Sequence, residues 1–257
     1  MPPADPAAAP AVVPLQQRLL KLAKSLQFAW FSGHVLVLTG TFFYALSAVR
    51  FASASRWAVF WYREAFLSVV ATYGIVLFRS YKAAAPTATT LIRDDNVQYL
   101  AIALLWLISR PLFVTLPPFA IYSFFHVLTY VRTNVLPTIG QPPNAPLAVK
   151  IQAFVDNYND KFTALVANLE LVLLMRLFLT ALAFRRGSWI SLLVYGSFIR
   201  LRFEQSVFTK QAVHNWEVRV DGLIAHPKVP VPVKTGWAKV KTAMKQSAAP
   251  RAAAKAE

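Results

Sequence analysis

The sequence contains no cysteine and few charged residues. Its 257 residues are 56% hydrophobic and 15% charged, whereas soluble domains carry about 25% charge. The absence of cysteine excludes disulfides, cysteine-ligated zinc sites and cysteine nucleophiles. No Asn-x-Ser/Thr acceptor occurs, so N-glycosylation marks no lumenal loop. This composition, with a mean hydropathy of +0.45, predicts an integral membrane protein.

Catalytic motifs are also missing. The chain has no GxSxG, HExxH, GxGxxG or P-loop pattern. Its four histidines are scattered without metal-ligand spacing, and we interpret His34 as a polar residue of the membrane interface. The pair Asp94-Asp95 is more typical of a helix start or of solvated charge than of a metal site. We therefore expect no enzymatic activity, no cofactor and no metal, and the residues assemble no polar active site for a lipid-modifying enzyme.

The chain has a large excess of positive charge. The formal net charge is +16, and residues 200–257 contain 11 Lys/Arg against 4 Asp/Glu. In a soluble protein this excess would suggest nucleic-acid binding. Here the basic residues lie beside apolar segments, so the positive-inside bias and contact with anionic lipid explain the excess of positive charge. We expect the anionic cytosolic leaflet as partner, and neither nucleic acid nor a small-molecule substrate.

Five apolar segments define an all-α membrane domain over residues 15–225. Residues 1–14 are rich in proline and alanine and are expected to be disordered. From Leu15 an amphipathic helix is predicted, lying in the membrane interface or packing on protein; its apolar stripe is Leu15, Leu19, Leu22, Leu26 and Trp30. The segments cover about 30–49, 57–78, 97–131, 166–184 and 188–203. The first two are predicted transmembrane helices.

The segment 97–131 is the longest apolar run and is interrupted by prolines. Arg110-Pro111 and Pro117-Pro118 divide it into two arms of 13 residues, 97–109 and 119–131. Such arms are roughly 20 Å long, short of the hydrocarbon core of about 30 Å. They predict a hairpin that enters one leaflet and returns. The alternative is one complete span over 111–131, bent at the second proline pair.

The segments 166–184 and 188–203 form a second predicted hairpin. They flank the basic turn Arg185-Arg186-Gly187, preceded by a surface or interfacial helix over 147–165. Both hairpins are predicted as spanning or re-entrant.

Several ionisable residues fall inside the apolar segments: Arg63, Glu64, Arg110, His126, Glu170 and Arg176. Such residues mark conduction paths or structural ion pairs. Arg63-Glu64 is explained by a structural pair, and His126 shares a helical face with Tyr130. Candidate partners of Glu170, by elimination, are Arg63, Arg110 and Arg200. The alternative function is a small transporter or channel that uses these groups.

The C-terminal part contains two amphipathic helices. One is predicted over 201–225, and another over 233–245 within a basic tail, 226–257. An apolar stripe with flanking lysines predicts a membrane-interface anchor, formed by Val233, Trp237, Val240, Met244, Lys234, Lys239, Lys241 and Lys245. The same composition is also compatible with an importin-type or calmodulin-like target.

Three sequence stretches together resemble the transmembrane protein 33 family, whose fungal members include pore-membrane nucleoporins. The first is residues 118–137, with a Ser-x-x-His-x-x-Thr-Tyr pattern at Ser123, His126, Thr129 and Tyr130. The second is Asn168-Leu169-Glu170 through Met175, and the third is residues 194–221. The resemblance covers roughly residues 15–225.

This resemblance implies a non-enzymatic protein of the endoplasmic reticulum and nuclear envelope, associated with tubule-shaping reticulon-type proteins and nuclear pore components. It implies that the C-terminal helix binds curved membrane and an importin. With the layout of short hairpins and amphipathic ends, it predicts a membrane-shaping or scaffold protein that contributes to pore distribution or biogenesis. Both termini are expected to be cytosolic or nucleoplasmic.

Overall fold

Every regular element in the described part of the chain is helical. The computed structural model describes residues 14–83, 85–185 and 187–248, with side chains as far as Thr242. The helices are α1 (Leu15–Ala23), α2 (Leu26–Val49), α3 (Arg56–Tyr81), α4 (Ala88–Arg93), α5 (Asp95–Ile108), a 3₁₀ turn (Phe113–Thr115), α6 (Leu116–Tyr130), a π-helical turn (Val131–Val135), α7 (Leu136–Thr138), α8 (Pro146–Leu182), α9 (Ser188–Gln205), α10 (Val207–Ile224) and α11 (Val231–Ala248). The predicted all-α class is confirmed. The prediction of disorder for 1–14 falls, up to residue 13, outside the described residues.

Three helical stretches within the described ranges are long and apolar enough to cross a membrane. They are Leu26–Val49, Phe113–Thr138 and Pro146–Leu182. Helix α3 has 26 residues, two more than α2, but it is more polar and contains Arg63 and Glu64. Helix α5 has 14 residues, hence a length of about 21 Å, which is shorter than the hydrocarbon core. The predicted integral membrane character is confirmed.

The first span begins earlier than predicted. Helix α1 ends at Ala23, and the Ser25 side chain accepts a hydrogen bond from the Phe28 N–H at 3.1 Å. Serine favours this cap position because its oxygen satisfies an N–H that has no helical partner. The span therefore starts at Leu26 rather than near residue 30. The predicted stripe from Leu15 to Trp30 is divided between two helices.

The segment 97–131 does not form two arms of equal length. Helix α5 ends at Ile108, and the chain is extended through Ser109 and Leu112. Pro117 and Pro118 lie in the first turn of α6, where an N–H has no helical partner to lose. The helical path then continues to Thr138 through the π-helical turn. The predicted bend at Pro117-Pro118 is wrong because these prolines begin the helix, and the second arm is a full-length candidate span.

The predicted helix 147–165 and segment 166–184 are one element, α8. The polar run 156–160 separates them in the sequence but is the exposed surface of a continuous helix. The predicted turn before α9 is confirmed, with Gly187 at φ +79° in the left-handed region that glycine tolerates best. Helix α10 begins at Val207, six residues later than predicted, because Ser206 caps it by accepting from the Thr209 N–H at 3.2 Å.

Two compact units divide the chain at Leu169 and Glu170. In the first unit, α2 packs antiparallel to both α3 and α6, while α5 packs on α3. A Cβ added at Gly40 would lie 2.5 Å from Glu64 Oε2 and 2.8 Å from the Trp61 carbonyl oxygen, so only glycine permits this close approach of α2 and α3. The Tyr62 hydroxyl is buried and hydrogen-bonded to Thr115 Oγ1 at 2.9 Å, which joins α3 to the start of α6.

The second unit packs α9, α10 and α11 with the part of α8 from Glu170 onward. Its buried side chains come from α8, α9 and α10, and α11 contributes none as far as Thr242; they include Leu173, Leu177, Tyr195, Phe198, Ile199 and Ala212. Asp221 of α10 holds α11 through two side chains, as described below. The unit therefore contains the whole described part of the predicted C-terminal anchor.

Candidate functional site

A polar cavity of about 490 Å³ lies in the first unit. Because α2 runs antiparallel to α3 and α6, the start of α2 meets the ends of the other two helices there. The lining residues are Gln27, Trp30, Ile75, Val76, Arg79, Ser80, His126, Thr129, Tyr130, Thr133 and Asn134. This set, here called the polar cavity, brings together three sequence regions about 50 residues apart.

Aromatic side chains form one wall of the polar cavity. The ring centroid of Trp30 lies 5.0 Å from that of His126 and 4.4 Å from that of His34. The two imidazole centroids are 4.7 Å apart, and Phe31 stacks on Tyr130 at 4.5 Å. His126 and Tyr130 share a face as predicted, with His126 exposed to the cavity and Tyr130 buried.

His34 is a buried residue. Its side chain is 4% exposed, and its Nδ1 is hydrogen-bonded to Ser123 Oγ at 2.9 Å. The side chain therefore packs within the helix bundle, and its depth in the membrane interface stays a prediction. The sequence pattern at 123–130 has a structural basis: Ser123 binds α2, while His126, Thr129 and Tyr130 line the polar cavity.

Arg79 supplies the positive charge of the polar cavity. It lies in the last turn of α3, is exposed, and belongs to a lining that includes no carboxylate among the described residues. Gln27, in the first turn of α2, stands at the positive end of that helix dipole. Sequence reasoning missed Arg79 because it lies beyond the apolar pattern of α3. The available signal was its position directly after the predicted span 57–78.

Arg63 and Glu64 take separate partners. Arg63 donates to the Trp106 carbonyl oxygen of α5 at 3.3 Å, and Ser68 donates to Glu64 Oε1 at 2.9 Å. Adjacent positions on a helix point about 100° apart, which prevents them from sharing a partner. The interpretation as an ion pair is replaced by two structural contacts, one to α5 and one within α3.

The remaining predicted ionisable residues also occupy separate positions. Arg110 and Arg176 are exposed, and Glu170 is buried with an electrostatic contact to the buried Tyr195. Arg200, proposed by elimination as a partner of Glu170, pairs instead with Glu204 at 3.7 Å on an exposed surface. Arg202, which sequence reasoning missed, is buried at 6% exposure in α9.

The predicted C-terminal anchor is held against α10. Trp237 Nε1 donates to Asp221 Oδ1 at 2.6 Å, and Lys241 Nζ donates to Asp221 Oδ2 at 2.7 Å. Lys241 also lies 3.5 Å from Glu217 Oε1. The hydrogen bond to Asp221, together with Glu217, raises the pKa of Lys241 above its usual value.

The apolar stripe of α11 is only partly covered. Trp237 and Val240 line an apolar groove of about 520 Å³, which also includes Trp216 and Val220 of α10. Val233 and Val240 remain about half exposed, at 50% and 48%. Lys239 is exposed and Lys234 is half-buried. The side chains of Met244 and Lys245, also predicted as anchors, lie outside the described residues.

Among the side chains that the structure describes, no group of three or more His, Asp or Glu is placed to hold a metal ion.

Comparison with known proteins identifies the family. The family model of transmembrane protein 33/nucleoporin POM33 matches residues 10–250. The chain belongs to this family. The resemblance seen in residues 118–137, 168–175 and 194–221 is confirmed.

Three relatives are similar over nearly their whole lengths. Nucleoporin POM33 of Chaetomium thermophilum is 42% identical, over 92% of this chain and 90% of the relative. The pore membrane protein of 33 kDa of Saccharomyces cerevisiae is 35% identical, over 90% and 86%. Tetra-spanning protein 1 of Schizosaccharomyces pombe is 36% identical, over 90% and 87%. No solved structure matches the chain.

Family membership is consistent with the membrane helices and with the scattered arrangement of ionisable groups. The family is one of membrane proteins and nucleoporins. In this chain Ser123, His126, Thr129 and Tyr130 serve the packing of α2 on α6 and the wall of the polar cavity.

Proposed function

We propose that this chain is a non-enzymatic membrane-shaping and scaffold protein of the nuclear envelope and endoplasmic reticulum. Relatives named as a nucleoporin and as a pore membrane protein support residence at the pore membrane. The nuclear envelope is continuous with the endoplasmic reticulum, so residence in both membranes is compatible with these names. At pores the chain would contribute to their distribution or biogenesis.

The observation that carries this proposal is the pair of amphipathic helices near the two ends of the chain. Helix α5 is short, about 21 Å, but the carbonyl oxygen of Trp106 near its end accepts from Arg63 of α3. The chain then continues to Phe113, which stacks on Tyr44 near the end of α2, so α5 leads into the full-length candidate span α6. A helix that lies in the interface of the cytosolic leaflet adds area to that leaflet, and the added area favours positive curvature.

Both amphipathic helices expose apolar side chains. Helix α1 exposes Leu15, Leu19 and Leu20, and α11 exposes Val233 and Val240. Apolar residues beside lysines are typical of helices that lie in the membrane interface. Anchoring by both ends on the cytosolic face would add area to the cytosolic leaflet.

Purified full-length protein added to spherical anionic liposomes tests this function. Electron microscopy should show tubules or small vesicles. Val233→Asp with Val240→Asp should reduce this remodelling, because it puts charge into the exposed apolar stripe. Thr235→Asp with Thr242→Asp is the matched control: both threonines are exposed on the opposite side of α11, and the charge change is equal. Unchanged liposomes at high protein density would contradict the proposal.

The proposed topology has both termini on the cytosolic side. Tags placed at each end of the chain in sealed microsomes should be removed by a protease added outside. Protection of either tag would contradict this topology.

We further propose that reticulon-type proteins, pore components and an importin are partners. The importin contact would use the lysines of α11, whereas membrane anchoring would use its apolar stripe. Val233→Asp with Val240→Asp should therefore reduce liposome binding and leave importin capture intact. Lys234→Gln with Lys239→Gln should reduce importin capture, and failure of both variants to separate the two activities would contradict this division.

The transporter alternative places Arg63, Glu64, Glu170 and Arg176 around a water-filled path. None of the four lines the polar cavity or the apolar groove. Arg63 and Glu64 have structural partners instead. This arrangement favours the scaffold, and a liposome flux that is abolished by Glu170→Gln would favour the transporter.

A further inference from the structure

We propose that the polar cavity binds the phosphate group of an anionic lipid headgroup. Its volume of about 490 Å³ falls within the range of ligand pockets, about 300–1,000 Å³. The lining includes a guanidinium, an imidazole, two amides and several hydroxyls, and no carboxylate among the described residues. Such a set of donors around one cation matches a phosphate.

Arg79 is the charge that selects an anion. A guanidinium presents several N–H groups in a planar fork, and it binds phosphate through two parallel hydrogen bonds. Arg79 is exposed at the cavity, and no described carboxylate lines the cavity to compete for it. Its position at the end of α3 places it where a headgroup, rather than an acyl chain, would reach.

Basic residues mark the end of the helices at which the cavity opens. Lys24 precedes α2, Lys82 follows α3 and Arg132 lies in the π-helical turn after α6. The positive-inside bias places this end at the cytosolic surface, where anionic lipids are enriched. The lipid phosphate and the cavity would therefore lie at the same depth.

Neutral polar side chains line the same cavity from α3 and from the segment after α6. Ser80 follows Arg79 directly, and Thr133 and Asn134 lie in the π-helical turn, a feature that is frequent at functional sites. The Thr133 hydroxyl donates to the Thr129 carbonyl oxygen at 2.8 Å and accepts from Asn134 Nδ2 at 2.8 Å. Thr133 thus orients the amide, and Asn134 rather than Thr133 is the donor toward a ligand.

Tyr130 packs in the cavity wall. Its side chain is 3% exposed, and the polar neighbour of its buried hydroxyl is Ser25, which does not line the cavity. The ring therefore shapes the wall, and the other polar lining residues supply the donors.

Binding of short-chain lipids to the full-length protein in detergent micelles tests the proposal. The probes are dioctanoyl phosphatidylinositol 4-phosphate, dioctanoyl phosphatidylcholine and free inositol 1,4-bisphosphate. The phosphoinositide should bind at least about tenfold more tightly than phosphatidylcholine. Arg79→Gln should weaken phosphoinositide binding by about tenfold or more, the scale of a charge-assisted hydrogen bond.

Lys82→Gln is the matched control, because it removes one positive charge close to Arg79 but outside the cavity lining. It should leave the affinity within about twofold.

Asn134→Leu should weaken binding without changing the net charge. Competition by free inositol bisphosphate would show that the phosphate alone suffices, and its absence would show that the lipid is required; both support the site. Equal losses with Arg79→Gln and Lys82→Gln, or no preference over phosphatidylcholine, would overturn it.

Discussion

The indole nitrogen of Trp237 donates to the Asp221 carboxylate at 2.6 Å, so the aromatic residue of the predicted membrane anchor binds protein. The same carboxylate accepts from Lys241. Two residues of the anchor thus have a polar partner on α10, while Val233 remains half exposed. Membrane contact through the remaining apolar stripe is compatible with this arrangement. Full insertion of Trp237 requires the loss of its bond to Asp221.

Asp221→Ala should increase the fraction of molecules in which α11 has left α10. The increase should be at least roughly 3- to 10-fold, since the variant removes the partly exposed carboxylate that accepts from both Trp237 and Lys241. The chain contains no cysteine, so a cysteine placed at Thr242 allows a single spin label. Its spectrum should report greater mobility in the variant.

Glu204→Ala is the control for Asp221→Ala, because Glu204 pairs with the exposed Arg200 of its own helix and with no other cation among the described residues. It should not change the mobility of the spin label. The wild-type contact should persist at neutral pH: the pKa of Lys241 is raised above its usual 10.5, so the charge is lost only in alkali. Equal mobility in the wild type and in Asp221→Ala would contradict the role of this contact.

Gly40→Ala should destabilise the packing of α2 on α3. The added Cβ would lie 2.8 Å from the Trp61 carbonyl oxygen and 2.9 Å from Ala65 Cβ, and backbone cannot move aside. Overpacking costs about 1–3 kcal/mol, which exceeds the gain of about 0.5–1 kcal/mol from replacing glycine in a helix. Thermal unfolding in detergent measures the difference.

Gly74→Ala is the matched control in the same helix pair, since nothing lies within 4 Å of a Cβ at Gly74. It should stabilise the protein by about 0.5–1 kcal/mol. The two glycines should therefore give changes of opposite sign. A Gly40→Ala protein at least as stable as the wild type would contradict the close approach of the helices.

Ser123→Ala should destabilise the protein by about 1–3 kcal/mol, because it leaves the buried His34 Nδ1 without its partner. Ser197→Ala is the control: Ser197 is exposed and its hydroxyl donates only to the Leu193 carbonyl oxygen of its own helix. That change should stay within about 0.5 kcal/mol. Equal unfolding temperatures for the two variants would show that the bond to His34 contributes no stability.

Asp94 should give the protein a stability that depends on pH. Its carboxylate caps α5 and accepts from the Tyr81 hydroxyl at 2.6 Å. Burial by itself would raise the pKa of Asp94, but the hydrogen bonds from Tyr81 and from two backbone N–H groups lower it below 3.8. Because the folded pKa is depressed, the stabilisation is present above about pH 4 and is lost as the pH falls through the folded pKa.

Asp94→Ala should cost about 1 kcal/mol at pH 7, the usual value of a lost cap, while Asp94→Asn should cost less because asparagine also caps. The difference in unfolding temperature between the wild type and Asp94→Asn should shrink as the pH is lowered from 7 to 3. Asp160→Asn, on the exposed part of α8, provides the control. A difference that stays constant with pH would exclude the ionised Asp94 as its source.

Local sequence determined most of the helices. The 25 uncharged residues between Lys24 and Arg50 predict α2, because a bilayer core tolerates little else. Arg185-Arg186-Gly187 predicts the turn before α9, and Asp94-Asp95 predicts a helix start, which Asp94 provides. These features depend on neighbours within one or two turns, so periodicity and capping residues are sufficient to find them.

Helix limits were less predictable where the local signal was ambiguous. Pro117 and Pro118 break a helix in its interior but begin one in its first turn, and the sequence does not distinguish these positions. The polar run 156–160 predicted a separate surface helix, yet the backbone hydrogen bonds of α8 continue through it. A polar stretch in a long helix interrupts the apolar pattern without interrupting the helix.

The sequence by itself determined the membrane class, the family and the residues available for recognition. Only the tertiary structure decided which of them meet. Packing α2 against α3 and α6 brings Gln27, Arg79 and His126 to one cavity, although they are about 50 residues apart in the chain. Helical periodicity gives the face of the helix on which a side chain lies. Which surface of another helix that face meets depends on long-range packing. For the same reason the bond between Trp237 and Asp221 became visible only in the folded chain.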